Sequence, residues 1–280
     1  MMRTKRHAWL AALVCVVICG LVCPVAVLAD PGVGPDIPIH VEDNVQHWPS
    51  VAYNHRHDEY LVVWHNEWGG GGLDVYARRV SAGGEVLSWF AVSSGPNDRA
   101  QPSVAYDAAH DRYLVVWIHD LHGDGSDWNV HGRFIPWNGP DAGLAEFPVC
   151  EWTSSQWAPR VVHNTHPLAK EFLVVWYNTP AAVPSYISAR RVFADGSGFP
   201  PGDGFTVASD PVTNRANPDV AYNLARNEYL VVYSENSLDI SGQRMTWEGI
   251  LLGGEIGIAG WPSPERLPKV AANASADQYF

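Results

Sequence analysis

The sequence predicts an all-β chain: a β-propeller of four-stranded antiparallel blades, four of them complete, with partial first and last blades in an incomplete ring. Three observations predict it. An apolar phrase recurs as Tyr60-Leu61-Val62-Val63-Trp64, Tyr113-Leu114-Val115-Val116-Trp117, Phe172-Leu173-Val174-Val175-Trp176 and Tyr229-Leu230-Val231-Val232-Tyr233. Each copy follows a proline-led segment, and Pro49, Pro102, Pro159, Pro218 and Pro268 stand 53, 57, 59 and 50 residues apart, a period that marks arrays and propellers. The recurring segments are short, rich in Val, Ile, Tyr and Trp, and bounded by Gly, Pro, Asn and Asp, with no sustained helical period after the leader.

Taken in chain order, residues 1–29 read as a signal peptide. Arg3, Lys5 and Arg6 precede an apolar stretch, and Val27-Leu28-Ala29 forms a small-residue cleavage site before Asp30. An uncleaved membrane anchor is the runner-up, because the stretch is nearly long enough to span. Residues 30–36 form a short linker, and 37–280 the repeat domain, with repeats at about 48–100, 101–157, 158–216 and 217–266 and a partial one at 267–280. Within a repeat, each proline opens a first strand, where its missing N–H costs little. Asn54, Asp107, Asn164, Asn223 and Asn273 close that strand as turn residues. The Leu-Val-Val phrase is a second strand, apolar on both faces and therefore expected between two neighbouring sheets. A third strand carries a small residue (Ala77, Gly132, Ala189, Gly242), expected where an adjacent blade's backbone comes close. It also carries Arg78, Arg133 and Arg190, expected to bridge loop carboxylates. A weaker fourth strand ends each unit. Ile37 to Val41 reads as a fourth strand without its blade, and Asp277 to Phe280 as the start of a second strand, so the sequence is expected to be part of a longer chain.

Composition limits the partners. The chain has 18 basic and 30 acidic residues, and removing the leader leaves 15 against 30, a formal charge of −15. Nucleic acid and anionic membrane surfaces, which need a basic footprint, are poor candidates, and no membrane insertion is expected after cleavage. Protein and glycan ligands remain. Only Cys150 lies outside the leader, so stability must come from packing rather than an internal disulfide.

The candidate sites are few. His119-Asp120-Leu121-His122-Gly123-Asp124-Gly125-Ser126-Asp127 places oxygen ligands at Asp120, Asp124, Ser126 and Asp127, a set that could take Ca²⁺ although it follows no EF-hand spacing. No other cofactor is expected, and a solvated turn is the alternative. Trp68, Trp128, Trp137 and Trp152 lie in Gly-rich or irregular connections, where aromatic rings suit stacking on sugars; the alternative is that they cap the blades. His55-Arg56-His57-Asp58-Glu59 falls in register with other first-to-second strand turns. Carboxylate pairs such as Glu67 with Asp74 could serve glycoside cleavage if they converge.

The patterns Pro-x-Val-Ala-Tyr, Tyr-Leu-Val-Val-Trp and Asp-Ile-x-Gly-x-Arg resemble the repeats of secreted bacterial β-propeller proteins, loosely akin to WD40-like and TolB-like propellers. The resemblance covers about Ile37 to Phe280. It implies a propeller, and it transfers no catalytic residue, because neither the sialidase-type Ser-x-Asp-x-Gly-x-Thr-Trp box nor the WD40 Gly-His and Trp-Asp pair occurs. The expectation is a secreted, extracellular or cell-surface, non-catalytic binding module that presents rim loops to protein or glycan. The alternatives are a carbohydrate-active enzyme with paired carboxylates at the channel mouth, and a structural spacer of a larger surface protein.

Overall fold

The structure, a computed structural model, describes residues 36–68, 72–141, 143–201, 204–261 and 263–280. The leader and nearly all of the linker lie outside the described residues. Ile37–Phe280 forms one compact unit. Among the described residues there is no helix long and apolar enough to cross a membrane.

Four sheets of four antiparallel strands follow one another. Blade 1 comprises β1 (Val45–Asn54), β2 (Glu59–Glu67), β3 (Leu73–Ser81) and β4 (Val86–Ser93). Blade 2 comprises β5 (Arg99–Asp107), β6 (Arg112–Asp120), β7 (Trp128–Pro136) and β8 (Phe147–Cys150). Blade 3 comprises β9 (Ser155–Asn164), β10 (Glu171–Thr179), β11 (Tyr186–Phe193) and β12 (Phe205–Ala208). Blade 4 comprises β13 (Arg215–Asn223), β14 (Glu228–Glu235), β15 (Asp239–Thr246) and β16 (Leu251–Ala259). A hairpin of β17 (Ala272–Asn273) and β18 (Gln278–Tyr279) begins a fifth. The propeller of four-stranded blades is therefore as the repeats predict.

The second strands are buried on both faces, and the division of labour alternates residue by residue. Tyr113, Val115 and Trp117 of β6 pack with Leu61 and Val63 of blade 1, whereas Leu114 and Val116 pack with Phe172, Val174 and Trp176 of blade 3. Leu173 and Val175 in turn meet Tyr229, Val231 and Tyr233 of blade 4. Each fully buried Val or Leu contributes roughly 1.5–3 kcal/mol, so inter-blade adhesion rests on these triplets. The edges show what a neighbour does. Val51 and Tyr53 of β1 are 58% and 46% exposed, while their counterparts in blade 2, Val104 and Tyr106, are 6% and 9% exposed.

Turn chemistry repeats with the blades. Asn54, Asp107, Asn164, Asn223 and Asn273 each accept the N–H two residues on, at 3.0, 2.8, 2.9, 3.0 and 3.1 Å, as Asx turns do. Positive φ recurs just before every second strand, at Asp58, Asp111, Lys170, Asn227 and Asp277, and just before every strand-opening proline, at Trp48, Gln101, Ala158, Asn217 and Leu267.

Two expectations need correction. Among the described residues Arg78 and Arg133 reach backbone carbonyls, not loop carboxylates, and Arg190 makes the same backbone contact. Their Nη1 atoms donate to the carbonyls of Ile39, Val92 and Val149 at 2.8, 2.8 and 2.6 Å, so each guanidinium ties a third strand to the segment preceding its own blade. Ile37 to Val41 pairs with no strand, yet Ile39 takes the place that Val92 and Val149 take elsewhere. The neighbouring arginines of these strands do pair with carboxylates: Arg79 with Glu59, Arg191 with Glu171 and Arg244 with Glu228. The small third-strand residue is also explained differently. A Cβ on Gly132 would meet Phe147, Val149 and Leu114, and one on Gly242 would meet Ile258 and Leu230 at 3.0 and 3.3 Å. Side chains of the same blade close over this position, not the backbone of the next.

Candidate functional site

The predicted tryptophans do not assemble into one platform. Trp68 is half-buried and lies edge-on to Tyr76, with ring centroids 6.0 Å apart. Trp128 is buried against Trp157, and Trp152, 38% exposed, meets Trp176 edge-on. Trp137 lies at the opposite end of its blade, where its N–H donates to Asp111 in the first turn. There it stacks on His57 with centroids 3.7 Å apart and sits beneath the Arg79 guanidinium.

The acidic loop after β6 folds onto itself. Asp120 is buried and accepts the Gly125 N–H, Asp124 accepts both the N–H and hydroxyl of Ser126, and Asp127 takes the Asn129 amide and His122. Among the described residues no group of three His, Cys, Asp or Glu is disposed to hold a metal ion. Glu67 and Asp74 turn apart: Glu67 lies 3.8 Å from His47, and Asp74 accepts the Gly95 N–H. Cys150 is buried, and burial pushes its thiol up to about 12, which makes it unreactive.

The carboxylates that do converge are on blade 4, at the end where β13 begins and β14 finishes. Arg215, the first residue of β13, has a side chain only 5% exposed. It holds Glu255 of β16 in a fork, Nε to Oε1 at 2.9 Å and Nη2 to Oε2 at 2.8 Å, the bidentate geometry that suits arginine. The same Nη2 lies 3.3 Å from Glu235 at the end of β14. Tyr233, two residues earlier, donates its hydroxyl to Glu255. Burial, then the Glu255 charge, raises the proton affinity of Glu235. Burial pushes Glu255 the same way, but the Arg215 and Tyr233 hydrogen bonds outweigh it and hold Glu255 below its usual range. Environments that drive two neighbouring carboxyl groups apart mark an acid and a base. Glu255 is about one-third exposed, and Trp261, 72% exposed, follows β16 at the same end of the blade.

Neither the pair nor its arginine stands out in the sequence, because the three lie 20 and 40 residues apart in it. The signal that could have found them is departure from the repeat. In strand register Glu235 replaces Asn66, His119 and Asn178, each opposite the same first-strand position. In blades 1 and 3 that asparagine accepts from the indole of Trp64 or Trp176. Blade 4 has lost both the amide and the indole.

A second site lies where the first strands meet. Residues of β1, β5, β9, β13 and the segment before β17 line one cavity of about 280 Å³. Here the residue after each strand-opening proline, Ser50, Ser103, Arg160, Asp219 or Lys269, faces the shared space. Among the described lining residues Asp219 is the one carboxylate, so no carboxylate pair is seen at this cavity.

No family model matches the sequence, and no curated protein is significantly similar to it. Solved structures are similar in fold. The α-L-arabinanase of Penicillium chrysogenum, complexed with arabinobiose, superposes with a TM-score of 0.58 at 13% identity, over 82% of this chain and 72% of that one. The exo-β-1,3-galactanase of Phanerochaete chrysosporium, with galactose, gives 0.52 at 11% identity, over 76% of this chain and 50% of that one. The α-L-arabinofuranosidase of Lactobacillus brevis gives 0.51 at 12% identity, over 83% and 81%. The chain thus spans half the length of the galactanase. Identities this low carry the propeller fold alone. They nevertheless correct the leading functional expectation, a non-catalytic binding module: the propellers this chain resembles bear the names of carbohydrate-degrading enzymes.

Proposed function

We propose that this chain is a carbohydrate-active hydrolase, with Glu235 as general acid and Glu255 as the ionised partner. One observation carries the reading: two carboxylates share Arg215 Nη2, at 3.3 and 2.8 Å, and their proton affinities are driven in opposite directions. Glu235 gives its proton to the departing glycosidic oxygen. Glu255, kept ionised by Arg215, stabilises the charge that develops at the anomeric carbon as the C–O bond breaks, and water bonds to that carbon as it gives a proton to deprotonated Glu235. Trp261 offers an apolar ring face for a sugar to stack on.

The leader and the likeness to exported propeller repeats support a secreted protein acting on glycans outside the cell. The acidic charge agrees with neutral polysaccharide as substrate. The test is release of reducing sugar, or of aryl alcohol from aryl arabinosides and galactosides, by the purified chain. Removing an acid–base group typically costs 10²–10⁴-fold, so Glu235→Gln and Glu255→Gln are each expected to lose at least about 100-fold while the protein stays folded at the assay temperature. Hydrolysis that survives both substitutions sinks the assignment.

A further inference from the structure

The axial cavity has a chemistry of its own. Its five lining positions are equivalent by repeat, each directly following a strand-opening proline, and their side chains build the contacts between first strands. Ser50 accepts the Val104 N–H at 3.4 Å, Ser103 the Val161 N–H at 3.2 Å, and Asp219 the Val270 N–H at 3.0 Å. A serine oxygen that accepts in this way still has its own proton to donate, so both hydroxyls can donate into the cavity.

The third and fifth positions break the pattern. Arg160 cannot accept, and its guanidinium stands in the cavity, 85% buried, over the Trp48 ring at 5.7 Å. Its Nη1 donates to the Pro159 carbonyl, while its buried Nε has no hydrogen-bond partner. The nearest carboxylate oxygen, Asp219 Oδ1, is 3.8 Å from Nε and also 3.7 Å from Lys269 Nζ, both beyond hydrogen-bond range. Two cations therefore share one carboxylate at ion-pair distance, with no close hydrogen bond from either. Burial and the charge of Arg160 both press the Lys269 ammonium below its usual range, so the two cations act on each other. A net positive, donor-rich cavity inside a chain of formal charge −12 is a local exception to its own electrostatics.

We propose that this cavity binds a small oxyanion, a carboxylate, sulfate or phosphate group, between Arg160 and Lys269, with the hydroxyls of Ser50 and Ser103 completing the donor set. The site is separate from Glu235 and Glu255 and stands whether or not they cleave glycans. Two sources share this chemistry, a free inorganic oxyanion and the carboxylate of an acidic sugar.

The experiment is calorimetric titration of the full chain with sodium sulfate and, separately, sodium glucuronate, with ionic strength held constant by sodium chloride. Saturable binding of at least one is expected, weakened at least about tenfold, roughly 1.4 kcal/mol, in Arg160→Gln and in Lys269→Gln. It is expected to persist in Arg226→Gln, whose arginine lies in a turn beside Asp277, away from the cavity. Lys269→Gln keeps the test alive if the more buried Arg160 is needed for folding. Binding of sulfate alone assigns a free oxyanion; binding of glucuronate, displaced by sulfate, assigns an acidic sugar. Absence of saturable binding for both probes, or equal binding in wild type and Lys269→Gln, overturns the proposal.

Discussion

Blades 2 and 4 place different chemistry at one set of positions. In both, an arginine opens the first strand, Arg99 or Arg215, and faces a residue at the end of the second, His119 or Glu235. In blade 2 the guanidinium is spent on the carbonyls of Pro96 and Asn97, and His119 and His131 meet edge-on with centroids 5.0 Å apart. In blade 4 the guanidinium clasps two carboxylates, and Ser241 stands where His131 does. The scaffold thus holds the positions and leaves the side chains free. Packing of the second strands secures the fold, so the outer ends of the blades can diverge without unfolding it.

The sharpest break of this comparison is to remove each arginine. Arg215→Met leaves two carboxylates, one of them largely buried, without their cation, and breaking such a pair costs about 3–5 kcal/mol. Hydrolysis is expected to fall by about 100-fold or more, because the acid and its partner lose their common anchor. Arg99→Met forfeits hydrogen bonds to two carbonyls, a loss of about 1–3 kcal/mol, and is expected to leave hydrolysis within about twofold of wild type, a modest shift beside the 100-fold effects of acid–base groups. Urea unfolding and an initial-rate assay measure both. Equal effects from the two would mean that blade 4 is merely another ion-paired edge.

This contrast also explains what the sequence discloses. Leu114 and Val116 facing one neighbour while Val115 and Trp117 face the other is a repeated necessity, so every blade spells it and the phrase is legible at once. The Asx turns at Asn54 and Asp107 are legible for the same reason. Glu235, Glu255 and Arg215 are not, because three strands bring them together and only the register of β13 against β14, and the bulged pairing of β15 with β16, decides which side chains meet. Trp68 and Trp128 mislead in the opposite direction: a loop position in sequence places their rings in the folded surface, against Tyr76 and Trp157. Functional residues in a repeat chain are read best as departures. Arg160 and Lys269 stand where two other blades have serine, and Glu235 stands where two have asparagine.

Acid should separate the blades further. Burial first, then the neighbouring His119 charge, lowers His131 to about 4 from an ordinary 6.5. Burial lowers His65 of blade 1 to about 4 as well. A base depressed in the folded state stays neutral there while the unfolded chain takes up a proton. The stability it carries is therefore whole above pH 6.5 and is lost as pH falls towards 4, by up to about 3 kcal/mol per histidine. Glu171 of blade 3 opposes this. Burial, only partly offset by Arg191, raises it to about 7 from 4.5, so its contribution is full below pH 4.5 and is lost as pH rises through 7. Burial lowers His119 and His163 as well, and raises Glu235 as it does Glu171, so with four histidines against two glutamates Tm is expected to fall between pH 7 and 4.5. His131→Gln should flatten that fall, and Glu171→Gln should steepen it. A His131→Gln profile parallel to wild type would show that the imidazole is charged in the fold.

The smallest effect tests the same two blades at their shared glycine. Blades 1 and 3 carry Ala77 and Ala189 where blades 2 and 4 carry Gly132 and Gly242, so the backbone accepts a Cβ there. On Gly132 that atom would stand 3.2 Å from Phe147, 3.3 Å from Val149 and 3.4 Å from Leu114, and the last two are fully buried. They have nowhere to go, and overpacking of this kind costs about 1–3 kcal/mol. On Gly242 the nearest atom, at 3.0 Å, is the tip of Ile258, which is 50% exposed and free to swing into solvent, although buried Leu230 stands at 3.3 Å. Gly242→Ala then sets the entropic benefit of a stiffer unfolded chain, about 0.4–1 kcal/mol, against that tight buried side chain. Gly132→Ala is expected to destabilise more than Gly242→Ala in urea unfolding. Equal losses would mean that the outer strand of blade 4 is held as firmly as that of blade 2, and that the edge beside the carboxylate pair is no looser than the interior of the array.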